Sequence, residues 1–299
     1  MKAFLNQSAN IVRLLYDRPR RSWSESPDPT IICTEMEGVQ VGSRDLRRMD
    51  HLTWPEFQER LNQAVFVLPL GATEQHGYHM PLGVDVFLPL HLALRVADAF
   101  PAVIAPPLAY GYKSQPKSGG GGLFPGTTSL DGATLTASVR DFVRELSRQG
   151  QKSIVILNGH MENSLFASEG VDLALRELSG QEIKVVSINW WEHVGDDLLD
   201  RLFPEGFPGW EAEHAGLTET SMMMHFLPDL VIIDRLEANE DRKPVPQYAI
   251  APEPPGLVPA SGVLHQAHGA SAKKGEALAN YLVNEIAQIL RTEFPAFTT

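Results

Sequence analysis

The sequence predicts an α/β fold, a three-layer α/β/α sandwich with a mostly parallel central sheet. Three observations carry that expectation. Short apolar runs rich in β-branched residues recur along the chain, stretches of helical period alternate with them, and the first and third runs are continuously apolar from residues 64 and 154 on. A strand buried on both faces reads that way, whereas a half-exposed strand alternates.

The elements follow in order. Ala64-Val65-Phe66-Val67-Leu68 reads as a buried strand, and residues 87–100, with Leu90, Leu94 and Val96, as the helix after it. Val103-Ile104-Ala105 is the next strand. Leu135, Val139, Phe142, Val143 and Leu146 then fall on one face of an amphipathic helix that Gly150 ends. Ser153-Ile154-Val155-Ile156-Leu157 is a third strand, residues 164–178 a helix, and Lys184-Val185-Val186-Ser187-Ile188 a fourth strand. A closing helix over 273–291 carries Leu278, Tyr281, Leu282, Ile286 and Ile289 on one stripe. Residues 1–50 lack a sustained period and read as an N-terminal arm, which leaves 51–299 as a single domain.

Composition narrows the function. With 43% hydrophobic and 21% charged residues among 299, the chain is long and apolar enough to bury a sizeable core. A formal charge of -12 leaves no basic face for a run of phosphates, so nucleic acid is not expected as a partner. Cys33 is the single cysteine, which rules out an internal disulfide and makes a reducing cytoplasm the expected compartment. No signal-like segment and no window of about eighteen apolar residues occurs, so no membrane span is expected.

Ligands of an open parallel sheet gather beyond the carboxyl ends of its strands. Two loops stand there: Gly71-Ala72-Thr73-Glu74-Gln75-His76-Gly77 after the first strand and Asn158-Gly159-His160-Met161-Glu162-Asn163 after the third. Each carries a carboxylate and an imidazole two residues apart, in mirrored order. In extended backbone such residues point the same way, so each pair presents an oxygen and a nitrogen to one side. Asp85 follows closely enough to fold back over the first loop, and its two oxygens suit a bridge between two metals. Imidazole and carboxylate without thiolate suit zinc or manganese with positions left for water. Two such cations hold a hydroxide and polarise the carbonyl it attacks. Taken singly, a Glu/His pair at a strand end reads sooner as a hydrogen-bonded loop, and only the two mirrored pairs together with the aspartate bring a metal site level with that reading.

These loops, Val84-Asp85, and the run Phe124-Pro125-Gly126-Thr127-Thr128-Ser129-Leu130-Asp131-Gly132 resemble the creatininase (creatinine amidohydrolase) family. So do Tyr110-Gly111-Tyr112-Lys113-Ser114-Gln115, Lys117-Ser118-Gly119-Gly120-Gly121, Phe203-Pro204-Glu205-Gly206-Phe207, Gly209-Trp210, Glu213-His214 and Glu219-Thr220-Ser221. The resemblance implies two divalent cations per subunit, Zn2+ and/or Mn2+. Glu74, Asp85 and His160 would hold one, and His76, Asp85 and Glu162 the other. It makes Glu162, Glu213 and His214 candidates for moving protons, with His214 as donor to the departing ring nitrogen because imidazole titrates near neutrality.

Trp191 and Trp210 correspond to tryptophans that close over a flat substrate ring, and Ser118, Met161 and Glu211 to neighbours of that ring. The implied reaction opens a small cyclic amide, creatinine to creatine, in a homohexamer. Two departures bear on specificity: Met161 stands where the family has a tyrosine, and Glu211 where it has an aspartate. The arm is also longer than the family's usual N-terminus. A different cyclic amide, a formamide or an oxidised inositol is the alternative substrate class, and a non-catalytic metal scaffold the alternative function.

Other features read as structural. His51, His79, His91, His193, His225, His265 and His268 have no partner at ligand spacing, and Met222, Met223 and Met224 read as helix packing. Pro244, Pro246, Pro252, Pro254, Pro255 and Pro259 predict an extended late loop.

Overall fold

A computed structural model describes residues 44–236, 248, 250–254, 256–265 and 267–297. The expected arm falls mostly on 1–43, outside the described residues, as do Pro244, Pro246 and Pro255 of the late loop. Within the unit from Asp45 onward, Arg48 forms a parallel bridge with Ile104 ahead of a short 3-10 turn, Met49–His51.

The elements in chain order are α1 (Trp54–Arg60), β1 (Val65–Leu70), α2 (Val84–Val96), β2 (Ala102–Ile104), α3 (Gly132–Arg148), β3 (Ser153–Asn158), α4 (Ser164–Glu177), β4 (Lys184–Asn189), α5 (Asp196–Leu202), α6 (Leu217–Phe226) and α7 (Ala272–Glu293). The four strands form one parallel sheet in the order β2-β1-β3-β4. Every residue of β1 is buried, as a strand covered on both faces requires.

Side chains alternate across the sheet with the strand's period of two. Val65, Val67, Val155 and Leu157 pack with Leu88 and Leu92 of α2, Met222 and Met223 of α6, and Leu278, Leu282 and Ile286 of α7. Phe66, Val103 and Ile154 face the other way and meet Val143 and Leu146 of α3 and Ala174 of α4, while Leu70 and Ile156 meet Leu135, Val139 and Ala167. The expected three layers are therefore present. The predicted methionine packing holds too, for Met222 and Met223 are fully buried.

One boundary moved in a way that matters. The helix expected over 87–100 runs over Val84–Val96: Pro81, Gly83 and Pro89 make its first turn read as loop, although Val84, Val86, Leu88 and Leu92 are buried on it. Asp85 thus stands in the first turn of α2, where the positive end of the helix dipole favours a carboxylate. The connection from β1 leads through α2 to β2 on one side of β1, and from β2 through α3 to β3 on the other. The carboxyl ends of β1 and β3 are consequently a switch point, where loops diverge and leave a crevice.

Candidate metal centre and active site

The loops after β1 and β3 and the start of α2 meet at that switch point. Gly71 and Gly159 end the two strands, and a Cβ on either would overlap the Asp85 carbonyl, so only glycine at both lets α2 enter between them. The loops are stitched together by two asparagines. Asn163 Nδ2 donates to the Gly71 carbonyl (3.0 Å), and Tyr112 N–H donates to Asn163 Oδ1 (2.8 Å). Asn158 Oδ1 accepts from the His160 N–H (3.1 Å) while its Nδ2 donates to the His160 carbonyl (2.8 Å). Both lie in the sequence motif without a role there, since an amide offers no ligand pattern of its own.

The imidazoles are oriented by main-chain acceptors. His76 Nδ1–H donates to the Glu74 carbonyl (3.1 Å), which turns Nε2 toward Asp85 Oδ1 at 3.0 Å. His160 Nε2–H donates to the Tyr112 carbonyl (3.1 Å) and so turns Nδ1 toward Glu74 Oε2 at 3.0 Å and Asp85 Oδ2 at 3.1 Å. Fixing one ring nitrogen as a donor leaves the other as a ligand, the usual arrangement behind metal-bound histidine. The remaining oxygen of Glu74, Oε1, accepts from Ser114 Oγ and from Gly120 N–H (3.0 Å).

Two groups of donor atoms close enough to share a cation result: Glu74, Asp85 and His160, and His76, His214 and Glu219. Asp85 stands between them, one oxygen turned to each histidine. His76 Nε2 and Asp85 Oδ2 are buried and make no hydrogen bond despite these short approaches. Buried polar atoms almost always find partners, so two such orphans within one carboxylate–imidazole cluster fit a divalent cation.

Of the residues expected from sequence, Glu74, His76, Asp85 and His160 converge. Glu162 takes a place beside them: its Oε1 accepts from Ser118 Oγ (2.6 Å) and Gln115 N–H (3.1 Å), and its Oε2 lies 3.3 Å from His160 Nε2. It belongs to neither close group. Glu219, quoted in the sequence only as part of a run, lies on α6 with Oε2 3.6 Å from His76 Nε2. No local spacing links it to His76, because α6 is far along the chain.

Glu213 is buried, accepting from Thr218 N–H (2.9 Å) and Thr218 Oγ (2.6 Å), so that it caps the start of α6. His265, expected to lack a ligand-like partner, comes within 3.7 Å of Glu213 Oε1. Ser118, Met161, Trp191, Trp210 and His214 all line one cavity above the donor groups. Trp190 lines it as well, meeting Trp191 and Trp210 edge-on with centroids 5.9 and 5.7 Å away. Glu211 turns outward instead, pairing with exposed Lys117 at 3.2 Å.

The charges in this cluster support one another. Burial alone would push the Glu74 and Asp85 carboxyls up, yet the surrounding histidines outweigh it and hold both below their ordinary range. Burial likewise opposes charge on His76 and His160, but Asp85 and Glu219 hold the first, and Glu162 and Glu74 the second, well above the ordinary imidazole value. The signs predict a pH dependence for protein stripped of metal. The lowered carboxylates contribute stability that is present above their ordinary values of 4.5 and 3.8 and lost as pH falls. The raised histidines contribute stability that is complete below 6.5 and lost as pH rises through their folded values. Stripped protein is thus expected to melt at progressively lower temperature as the pH climbs past about 6.5, while cation-loaded protein is protected there because the cation replaces the protons. Thermal denaturation over that range checks this, and a rising melting temperature for stripped protein would contradict it.

Comparison with known proteins gives a consistent picture. The family described as Creatininase, creatinine amidohydrolase, matches residues 50–290. A creatinine amidohydrolase from Pseudomonas putida is 50% identical over 252 residues, covering 82% of this chain and 96% of its own. A mycofactocin precursor peptide peptidase from Mycolicibacterium smegmatis is 30% identical over 233 residues, 75% of this chain and 83% of its own. Among solved structures, a creatininase in its Mn form has a TM-score of 0.80 at 48% identity, and a mutant creatininase of Zn-Zn type 0.81 at 47%. Each covers 83% of this chain and 98% of the solved one.

Proposed function

Because the chain belongs to the creatininase family, we propose that it is a metal-dependent amidohydrolase that opens creatinine to creatine. The observation that carries this reading is the convergence of Glu74, Asp85 and His160 with His76 at the β1/β3 switch point, beneath a cavity walled by tryptophans. Two divalent cations, zinc or manganese, fit the donor set: one on Glu74, Asp85 and His160, the other on His76 and Asp85 with Glu162 or Glu219 completing it. When bound, they supply a water acidified toward neutral pH and polarise the carbonyl under attack.

The chain's own residues do the rest. Asp85 holds the two histidine groups in register by offering one oxygen to each. Trp191 and Trp210 receive the flat ring and exclude water from it. Ser118 fixes Glu162 at the mouth through its hydroxyl, 2.6 Å from Oε1. Attack of water on the ring carbonyl forms a C–O bond as Glu162 accepts the water's proton, and the ring C–N bond breaks as His214, protonated at that point, delivers a proton to the departing nitrogen. Glu213, locked by Thr218, keeps the backbone at His214 in place.

Met161 gives a second reading some weight. It lines the cavity and brings a thioether where the family's tyrosine would bring a hydroxyl, so a related ring or another amide is the alternative substrate. Met161→Tyr is expected to lower KM for creatinine several-fold if the missing hydroxyl serves that ring, and steady-state kinetics decide it. An unchanged KM makes the position irrelevant to creatinine. The overall reading is tested by assaying zinc- and manganese-loaded protein against creatinine, other imidazolidinones, hydantoins and formamides. Turnover of a non-creatinine compound alone would overturn the substrate and leave the hydrolysis.

The same reading takes the protein as a cytoplasmic homohexamer with one catalytic domain over 51–299 after an arm over 1–50. No helix among the described residues is long and apolar enough to cross a membrane. Light scattering checks the assembly.

A further inference from the structure

Gln75 lies between Glu74 and His76, belongs to neither donor group and does not line the cavity, yet it is 5% exposed and its amide is hydrogen-bonded at both ends. Its Oε1 accepts from Gly77 N–H (2.9 Å), and its Nε2 donates to the Gly262 carbonyl (3.0 Å). The same Nε2 lies 2.9 Å from His214 Nε2, and His214 Nε2 is also 2.9 Å from the Gln75 carbonyl oxygen. One residue therefore faces a single nitrogen of His214 with both a donor and an acceptor, so the ring has a partner in either tautomer without turning.

The surroundings are shaped to this carboxamide. A Cβ on Gly120 would overlap Gln75 Nε2, and a Cβ on Gly262 would overlap Oε1, so the glycine loop and the late loop close on the amide from two sides. Gly262 also adopts φ +76°, a conformation that side chains other than glycine rarely take. Segments from four distant parts of the chain are thereby pinned to one side chain: the β1 loop, the glycine loop, the late loop and the turn before α6. Such a buried and fully satisfied polar network fixes one geometry, whereas packing alone would tolerate several.

We propose that Gln75 is a positioning residue for the reaction, seating the His214 imidazole over the metal groups so that its proton is aimed at the departing nitrogen. The inference rests on the reading of His214 as proton donor. Misplacing a catalytic group by about 1 Å costs on the order of a hundredfold in rate. Gln75→Met keeps length and burial but removes all three side-chain amide bonds, including the one to His214 Nε2, and leaves only the main-chain carbonyl facing that nitrogen. It is expected to lower kcat by about 10- to 100-fold with KM for creatinine and bound metal near the parent's.

A double-variant cycle with His214→Ala separates positioning from general damage. If Gln75 acts through His214, Gln75→Met costs nothing further once His214 is gone. Losses that multiply instead would overturn the proposal. A crystal structure of zinc-loaded Gln75→Met gives a second arm that needs no substrate. There the His214 ring is expected to be displaced or split between orientations, and an unmoved, singly ordered ring would overturn the proposal even if creatinine proved to be the wrong substrate. Conversely, a displaced ring in a protein inactive on creatinine would sink the substrate assignment and leave the positioning role standing.

Discussion

Asp85→Asn is expected to lower kcat/KM for creatinine by about a thousandfold or more, equivalent to about 4 kcal/mol of transition-state stabilisation. The carboxylate is buried in the first turn of α2 and turns one oxygen to His76 Nε2 and the other to His160 Nδ1. An asparagine keeps the volume but removes the charge and replaces one oxygen by an N–H donor. That donor would face an imidazole nitrogen and a cation, and the group on that side would lose its shared ligand. Cation content measured by atomic spectroscopy should fall together with activity. A variant that keeps both its full metal content and its rate would show that Asp85 does not join the two groups.

His214→Asn is expected to lower kcat by about a hundredfold to ten-thousandfold, the range typical of a lost general acid. KM should change by only a few-fold, because the tryptophan walls and the group of Glu74, Asp85 and His160 remain. The geometry makes metal content the informative companion measurement. His214 lies close to His76 and Glu219, with the His76 and His214 ring centroids 4.4 Å apart, so the three are near enough to share a cation. Retained metal with a slow kcat supports the proton-donor role. Loss of an equivalent of metal would reassign His214 as a ligand and leave the proton to another group.

The strands were readable because burial on both faces demands unbroken apolar runs, and β1 and β3 supply them with Val65 to Leu70 and Ile154 to Leu157. The loops after them were readable as a site because a carboxylate and an imidazole two residues apart form a local pattern. Asp85 was legible as a ligand but not as a helical residue, since the prolines and glycine around it imitate a loop. What escaped is what only folding brings together. Glu219 reaches His76 from α6, and Trp190 meets Trp191 and Trp210 through packing that adjacency to Trp191 alone does not imply. Glu211 sits beside Trp210 in sequence yet turns outward to Lys117, because a side chain's direction depends on the turn that carries it.

The amides were silent for a related reason. Asn158, Asn163 and Gln75 stand inside the two motif loops, yet their importance comes from the carbonyls they hold: His160 for Asn158, Gly71 for Asn163 and Gly262 for Gln75. A sequence shows a ligand's own chemistry more readily than the bonds that aim it.

Stripping the protein with a chelator, then titrating zinc or manganese back while following both bound cation and creatinine turnover, tests the central claim most directly. The arrangement of Glu74, His76, Asp85 and His160 predicts negligible turnover without metal and full recovery as about two equivalents per chain are taken up. Undiminished turnover by protein shown to hold no divalent cation would contradict it.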